Sequence, residues 1–226
     1  MSRDPDGAQW AMQPVWPVVT ASEYRADRVV HAVGLLVAPV AVAALVADVV
    51  LARSGPLVVL GVAVYGAALL TMLTCSALYN LLRSSPWRDW LRRCDHAAIF
   101  AMIAGTYTPF TLLWLPREWG WAFCLAVWAV AAVGIAIKLA WPRRLERVSL
   151  VLYLALGWSI LPVVGPMTAA LSPAGSLLLL AGGGLYSLGV VFHLWNRLPY
   201  QNAIWHGFVL AAAACHFAAI ALGVAG

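Results

Sequence analysis

The chain has 226 residues, of which 63% are hydrophobic and 10% are charged, and its formal net charge at pH 7 is +5. Soluble domains carry about 25% charged residues, so this composition excludes a soluble globular protein and indicates a polytopic membrane protein. The basic excess does not indicate a nucleic-acid partner, because the arginines are spread over short loops and do not cluster on one element.

Apolar windows long enough to cross a bilayer, about 20 residues each, follow one another along the chain with short connections. They predict an all-α fold, a polytopic bundle of seven transmembrane helices with no soluble module attached. The polar, proline-containing start predicts a cytosolic N-terminal tail over residues 1–28, followed by a transmembrane domain over 29–226. The predicted spans cover residues 30–52, 57–82, 95–115, 119–140, 148–167, 174–195 and 203–225.

Positive charge marks one side of the predicted bundle. Of the fourteen Lys and Arg residues, eleven fall in the tail or in connections on its side, and Lys138 lies at the end of the fourth span on that side. The other two, Arg53 and Arg117, fall on the opposite side. Basic residues in short loops stay on the cytosolic side, so we expect a cytosolic N-terminus and an external C-terminus. The chain is rich in Ala and Gly and has thirteen Arg to one Lys. This composition favours a GC-rich bacterial genome and hence the bacterial inner membrane.

Strongly polar side chains inside the spans gather at the cytosolic ends. Ser76 and Asn80 are four residues apart on the second span, as Asn202 and His206 are on the seventh, so each pair lies on one helix face. Polar groups are costly in lipid and usually mark a functional cavity. The sequence therefore predicts a polar chamber open to the cytosol. Its predicted lining is Ser76, Asn80, Asp95, Asn202 and His206, with His31 and His96 as further candidates.

Structural roles are alternatives for several of these residues. Asp95 could be a carboxylate at a helix N-terminus that interacts with the helix dipole and nearby arginines. Asn202 and His206 could form interhelical hydrogen bonds, worth about 0.6–2 kcal/mol each in membrane helices. His31 follows Asp27 by one helical turn, and this pair could cap the first helix or belong to the chamber.

Two stretches rich in glycine or proline predict local irregularities in the helices. The stretch LPVVGP (161–166) predicts a kink or an early stop at the outer end of the fifth span. The stretch AGGGLYSLG (181–189) predicts that the sixth span approaches a neighbouring helix closely, since small residues let two backbones come together.

Four motifs in chain order carry a resemblance to a known family. They are EYRADRVVHAVG (23–34), SALYN (76–80), CDHAAIFAMIAGTYTPF (94–110) and NAIWHGFVLAAAACHF (202–217). Together they resemble the hemolysin III family, the bacterial branch of the progestin and adipoQ receptor (PAQR) superfamily, which includes the adiponectin receptors. The resemblance implies a seven-helix bundle with a cytosolic N-terminus and a zinc site in the cytosolic half of the bundle.

In that family the second helix carries Ser-x-x-x-His, the third an Asp and the seventh His-x-x-x-His, and the three histidines hold zinc. The resemblance therefore implies that His206 is a zinc ligand and that Ser76 and Asp95 act beside it in hydrolysing a lipid amide. Asn80 and Asn202 stand at the other two ligand positions. Because an amide oxygen binds zinc poorly, we expect zinc binding to be weakened or lost and the chamber to persist as a hydrogen-bond network.

This departure from the family pattern decides which function is expected. It favours a membrane protein with little or no bound metal that acts as a sensor, a lipid-binding protein or a regulator, with membrane lipids as its partners. A zinc-dependent hydrolase of lipid amides or esters is the first alternative, and a pore-related, haemolysin-like protein is the second. A metal-free enzyme with Asp95 and His206 as its acid and base is the third.

Overall fold

The computed structural model describes residues 20–141 and 146–225, and every regular element within these ranges is a helix. Seven helical segments in them are long and apolar enough to cross a membrane, which confirms the predicted seven-helix bundle. The predicted N-terminal tail lies mostly outside the described residues. The elements are α1 Ala21–Leu51, α2 Pro56–Leu81, α3 Arg88–Trp114, α4 Arg117–Ala140, α5 Glu146–Gly157, a 3₁₀ segment Trp158–Val163, α6 Val164–Ala170, α7 Pro173–Leu194 and α8 Gln201–Ala225.

Helix α1 begins at Ala21, well before residue 30, where the sequence analysis places the first span. The Thr20 hydroxyl accepts a hydrogen bond from the Glu23 backbone N–H at 3.2 Å, and the Glu23 carboxylate accepts one from the Thr20 N–H at 2.8 Å. This capping box satisfies backbone N–H groups that a helix start leaves free. The other Glu23 carboxylate oxygen accepts a hydrogen bond from the Tyr200 backbone N–H at 3.0 Å, so the start of α1 is joined to the turn before α8.

The fifth span is interrupted in its middle. Helix α5 ends at Gly157, the 3₁₀ segment follows, and α6 continues to Ala170. Pro162 has no N–H for a regular α-helix, whereas Pro166 lies in the first turn of α6, where that bond is not needed. The LPVVGP stretch therefore produces a kink, and its alternative interpretation as an early stop is wrong, because the span reaches Ala170.

Helix α3 is the central helix of the bundle. Within its apolar window 67% of the residues are buried, against 17–44% in the other spans. It packs chiefly against α2 and α4, while α1 packs against α2 and α8. The starts of α1, α3 and α8 and the end of α2 therefore meet at one end of the described bundle. We call it the basic end, because Arg83, Arg92 and Lys138 lie there.

Two glycines permit close contacts between helices. Gly105 of α3 faces Ala68 of α2, and a Cβ at position 105 would lie 2.3 Å from the Ala68 Cβ. Gly182 of α7 faces His216 of α8, and a Cβ at position 182 would lie 2.4 Å from the imidazole. Because Gly182 belongs to the AGGGLYSLG stretch, the predicted close approach of this helix to a neighbour is confirmed.

Candidate functional site

A cavity of about 1000 Å³ lies among the helices at the basic end. The side chains that the sequence analysis assigns to a polar chamber all line it, and they come from α1, α2, α3 and α8, whose ends meet there. We call this cavity the chamber. The predicted residues around it are His31, Ser76, Asn80, Asp95, His96, Asn202 and His206.

Ser76, Asn80 and Asp95 form one polar group on the α2–α3 side of the chamber. The Asn80 amide nitrogen donates to the Ser76 carbonyl oxygen at 2.9 Å and lies 3.4 Å from the Ser76 hydroxyl oxygen. The Ser76 side chain interacts with the Asp95 carboxylate of the neighbouring helix. The four-residue spacing keeps Ser76 and Asn80 on one face of α2, and that face is turned towards Asp95 of α3.

A second polar group lies between α1 and α8. The His206 Nδ1–H donates to Asp27 Oδ1 at 2.6 Å, and the His31 Nε2 lies 3.7 Å from the same oxygen. The centres of the two imidazole rings are 4.5 Å apart. Donor atoms of the three residues all lie within 4.8 Å of one another, which makes them a candidate Asp/His/His metal-binding triad. We call Asp27, His31 and His206 the Asp27 cluster.

For Asp27, the sequence leaves two roles open, a cap of the first helix or a place in the chamber with His31. The alternative that it caps the first helix is wrong, because the N-cap residue is Thr20. Asp27 is instead buried, with 1% of its surface exposed, and its partner His206 is 179 residues away along the chain. The available signal was an Asp four residues before a His on an apolar helix, where a charged residue usually has a partner.

The chamber has a positively charged end. Arg83, Arg88, Arg92 and Lys138 line it, and Asp95 is the one acidic residue in the described lining. Lys138, near the end of α4, is 2% exposed. Its charge therefore acts inside the bundle, where water screens it little. A negatively charged group that enters the chamber would come near buried Lys138.

The chamber extends from the basic end into the middle of the bundle. On α3 its lining includes Arg92 and Tyr107, which are about 22 Å apart at 1.5 Å per residue. At the deep end the His216 Nε2–H donates to the Leu179 carbonyl oxygen at 3.1 Å. The His216 Nδ1 and the Tyr186 hydroxyl are buried without a hydrogen-bond partner among the described residues. Between the ends lie apolar side chains: Met72, Leu73, Ile99, Met102, Ile103, Val209 and Leu210.

The residues at the expected zinc positions do not fit a zinc ion. Asn80 and Asn202 offer neutral amide oxygens where the family pattern has imidazoles, and zinc prefers nitrogen and thiolate donors. The Asn80 amide is already bonded to Ser76. His206 is the one imidazole in this set, so Asn80, Asn202 and His206 together are not the zinc site that the resemblance implies.

Known proteins match most of the chain. The family model described as Haemolysin-III related matches residues 25–217. The Hemolysin-3 homolog of Bacillus subtilis is 35% identical over 200 residues, which cover 88% of this chain and 92% of the relative. The Hemolysin-3 of Bacillus cereus is 39% identical over 154 residues, which cover 68% and 70%. The Monocyte to macrophage differentiation factor of Homo sapiens is 32% identical over 170 residues, which cover 70% and 67%.

Proposed function

The chain belongs to the Haemolysin-III related family, and from that premise we propose that this multi-pass membrane protein binds an anionic single-chain lipid in its chamber. The observation that carries the proposal is a positively charged end and a long apolar wall in one cavity. Ligand sites are typically cavities of about 300–1000 Å³ with a mostly apolar lining and a few placed polar groups. The chamber, at about 1000 Å³, matches this description.

The charged end supports an anionic head group. Lys138 and Arg83 line this end of the chamber. Arginine guanidinium groups bind carboxylates and phosphates through paired hydrogen bonds, and a lysine adds a point charge. Buried Lys138 lies where such a head group would be withdrawn from water. A fatty-acid carboxylate or the phosphate of a single-chain lipid has the chemistry that this end recognises.

The apolar wall supports one extended hydrocarbon chain. The lining of α3 covers about 22 Å between Arg92 and Tyr107. One leaflet of a bilayer contributes about half of the roughly 30 Å hydrocarbon core. A chain that fills one leaflet therefore fits within the length of the chamber, with its end near His216 and Tyr186.

The proposal includes the orientation of the protein in the bilayer and the membrane in which it resides. Twelve of the fourteen basic residues belong to one side of the sequence-derived topology, which supports a cytosolic N-terminus, a chamber that opens to the cytosol and an external C-terminus. The similarity to Bacillus proteins and the arginine-rich composition support a bacterial cytoplasmic membrane.

Hydrolysis and pore formation are not part of the proposal. A zinc-dependent hydrolase of the family type needs imidazoles where this chain has Asn80 and Asn202. The names of the Bacillus relatives refer to haemolysis, but a pore needs a polar path for ions. The mainly apolar wall between the two polar ends of the chamber offers ions no favourable passage.

The test compares binding of hexadecanoate and hexadecanol to the detergent-purified protein by isothermal titration calorimetry. Hydrogen bonds to charged groups contribute about 1.5–3 kcal/mol, so the acid is expected to bind at least about tenfold more tightly. Lys138→Met should reduce this preference. The matched control Arg117→Gln removes an exposed cation from the opposite end of α4 and should leave it intact. Equal binding of acid and alcohol, or an equal effect of both variants, would refute the proposal.

A further inference from the structure

The geometry of the Asp27 cluster points to a second ligand of this protein, and we infer that the cluster binds a divalent transition-metal ion of the zinc type. The ligands are Asp27 and His31 of α1 and His206 of α8, whose donor atoms lie within 4.8 Å of one another. This inference rests on these contacts alone and does not depend on the lipid proposed above.

The distances in the cluster suit a small ion. In a tetrahedral site with bonds of about 2.0 Å, neighbouring ligand atoms lie about 3.3 Å apart. The distances from Asp27 Oδ1 to the His206 and His31 nitrogens are 2.6 and 3.7 Å, on either side of that value. Side-chain shifts of less than about 1 Å would bring all three donors to an ion. The ion would replace the proton that His206 now shares with Asp27, since metal binding releases protons from ligands.

Two buried polar atoms of the cluster have nothing else to bind. Asp27 Oδ2 and His31 Nε2 have no hydrogen-bond partner among the described residues. Asp27 is 1% exposed and His31 is 5% exposed, so water does not reach them freely. Buried polar groups are normally satisfied, and an unsatisfied one is costly. A metal ion between the three side chains would bind His31 Nε2 directly, and a carboxylate that coordinates through both of its oxygens would also satisfy Asp27 Oδ2.

The type of ligand selects the type of metal. Two imidazoles and one carboxylate form a set that zinc and ferrous iron accept, with further positions left open. Magnesium and calcium prefer oxygen ligands throughout. His31 and His206 line the chamber, whereas Asp27 is buried and is not among its lining residues. The open coordination position would consequently face the chamber.

This site differs from the one that the family resemblance implies. The family pattern takes its ligands from the second and seventh spans, which are α2 and α8 here. The Asp27 cluster takes two of its ligands from α1 instead and shares only His206 of α8 with the family set. A second carboxylate, that of Asp95, interacts electrostatically with both His206 and Asp27 and adds negative charge nearby. Arg83, which also interacts with Asp27, offsets part of this charge.

The alternative is a metal-free hydrogen-bond cluster that holds α1 against α8. A zinc titration distinguishes this alternative from the metal site. Detergent-purified protein is first stripped of metal with a chelator and then titrated with Zn²⁺, with Mg²⁺ as a control ion. Binding of about one Zn²⁺ per chain is expected. Asp27→Asn and His31→Asn should each weaken it more than about 100-fold, because even residues that only orient metal ligands are worth about 10–100-fold. Two matched controls should keep the wild-type affinity for Zn²⁺. They are the double variant Asn80→Ala with Asn202→Ala, and the chamber-lining variant His96→Asn.

A structural readout on the wild type makes the test independent of variant folding. X-ray absorption of the zinc-loaded protein should show two imidazole ligands and one carboxylate at about 2.0–2.2 Å. No zinc binding by the wild type, a single imidazole, or equal binding by wild type, Asp27→Asn and His31→Asn would each overturn the inference. If the wild type binds hexadecanoate but no zinc, the metal site alone is refuted. If it binds zinc but no hexadecanoate, only the lipid proposal is refuted.

Discussion

Gly105 of α3 lies so close to Ala68 of α2 that a methyl group at position 105 does not fit. A Cβ there would lie 2.3 Å from the Ala68 Cβ, whereas carbon atoms pack best at about 3.5–4.0 Å. Both atoms are attached directly to the backbone, so no rotamer change can relieve the clash. Gly105→Ala must therefore separate α2 from α3 by about 1.2 Å at this level.

The expected effect of Gly105→Ala on the free energy of unfolding is the sum of two opposing contributions. Overpacking of a close contact costs about 1–3 kcal/mol, and the upper end applies because the two backbones have to move. Replacing glycine by alanine within a helix returns about 1 kcal/mol. The net loss is about 2 kcal/mol, which lowers the melting temperature of a chain of this size by about 4–8 °C. Since α2 carries Ser76 and α3 carries Asp95, the separation also widens the chamber and should weaken hexadecanoate binding.

The assay is thermal unfolding of detergent-purified variants, with Gly184→Ala as the matched control. A Cβ at position 184 of α7 meets nothing within 4 Å, so this control should be neutral or stabilised by up to about 1 kcal/mol. The double variant Ala68→Gly with Gly105→Ala moves the methyl group across the interface and should recover most of the lost stability. If Gly105→Ala melts like Gly184→Ala, or if the double variant is no better than the sum of the single variants, the reasoning is wrong.

Three further results are expected. Thr20→Ala removes the N-cap of α1 and should cost about 1 kcal/mol, with faster amide exchange in residues 21–24; unchanged exchange would contradict the capping box. Gly182→Ala places a methyl group against the His216 imidazole, so the melting temperature should fall as for Gly105→Ala, and an unaltered value would argue against the close α7–α8 contact. Each methylene removed from hexadecanoate should weaken binding by about 0.8 kcal/mol, or about fourfold, and an affinity independent of chain length would exclude a chain in the chamber.

The seven spans could be predicted because bilayer thickness sets a length that the apolar windows meet. The observed helices differ from the predicted spans at the start of α1 and in the fifth span. Thr20 and Glu23 begin α1 with a capping box, although the polar composition of residues 1–28 predicts a tail there. The kink in the fifth span could be predicted from its prolines, but the continuation to Ala170 could not, because Pro166 is tolerated in a first turn.

The chamber residues could be selected from the sequence, since polar side chains are rare in these helices and gather at one end. The Asp27 cluster could not be assembled in the same way. Helical periodicity gives the face on which Asp27 and His31 lie, but not the helix that packs against it. The contact with His206, 179 residues away, depends on α1 lying beside α8. The pairing of Ser76 with Asn80, by contrast, follows from a single turn of α2.

The central claim is that one lipid chain lies inside the chamber, and photocrosslinking tests it most directly. A fatty acid with a diazirine in its hydrocarbon chain is irradiated with the purified protein, and the labelled peptides are identified by mass spectrometry. We predict labelling of the chamber wall at Met72, Met102 and Leu210, competed by unlabelled hexadecanoate. Labelling confined to the exposed outer side chains Leu36 and Leu125, or labelling that hexadecanoate does not compete, would contradict the account.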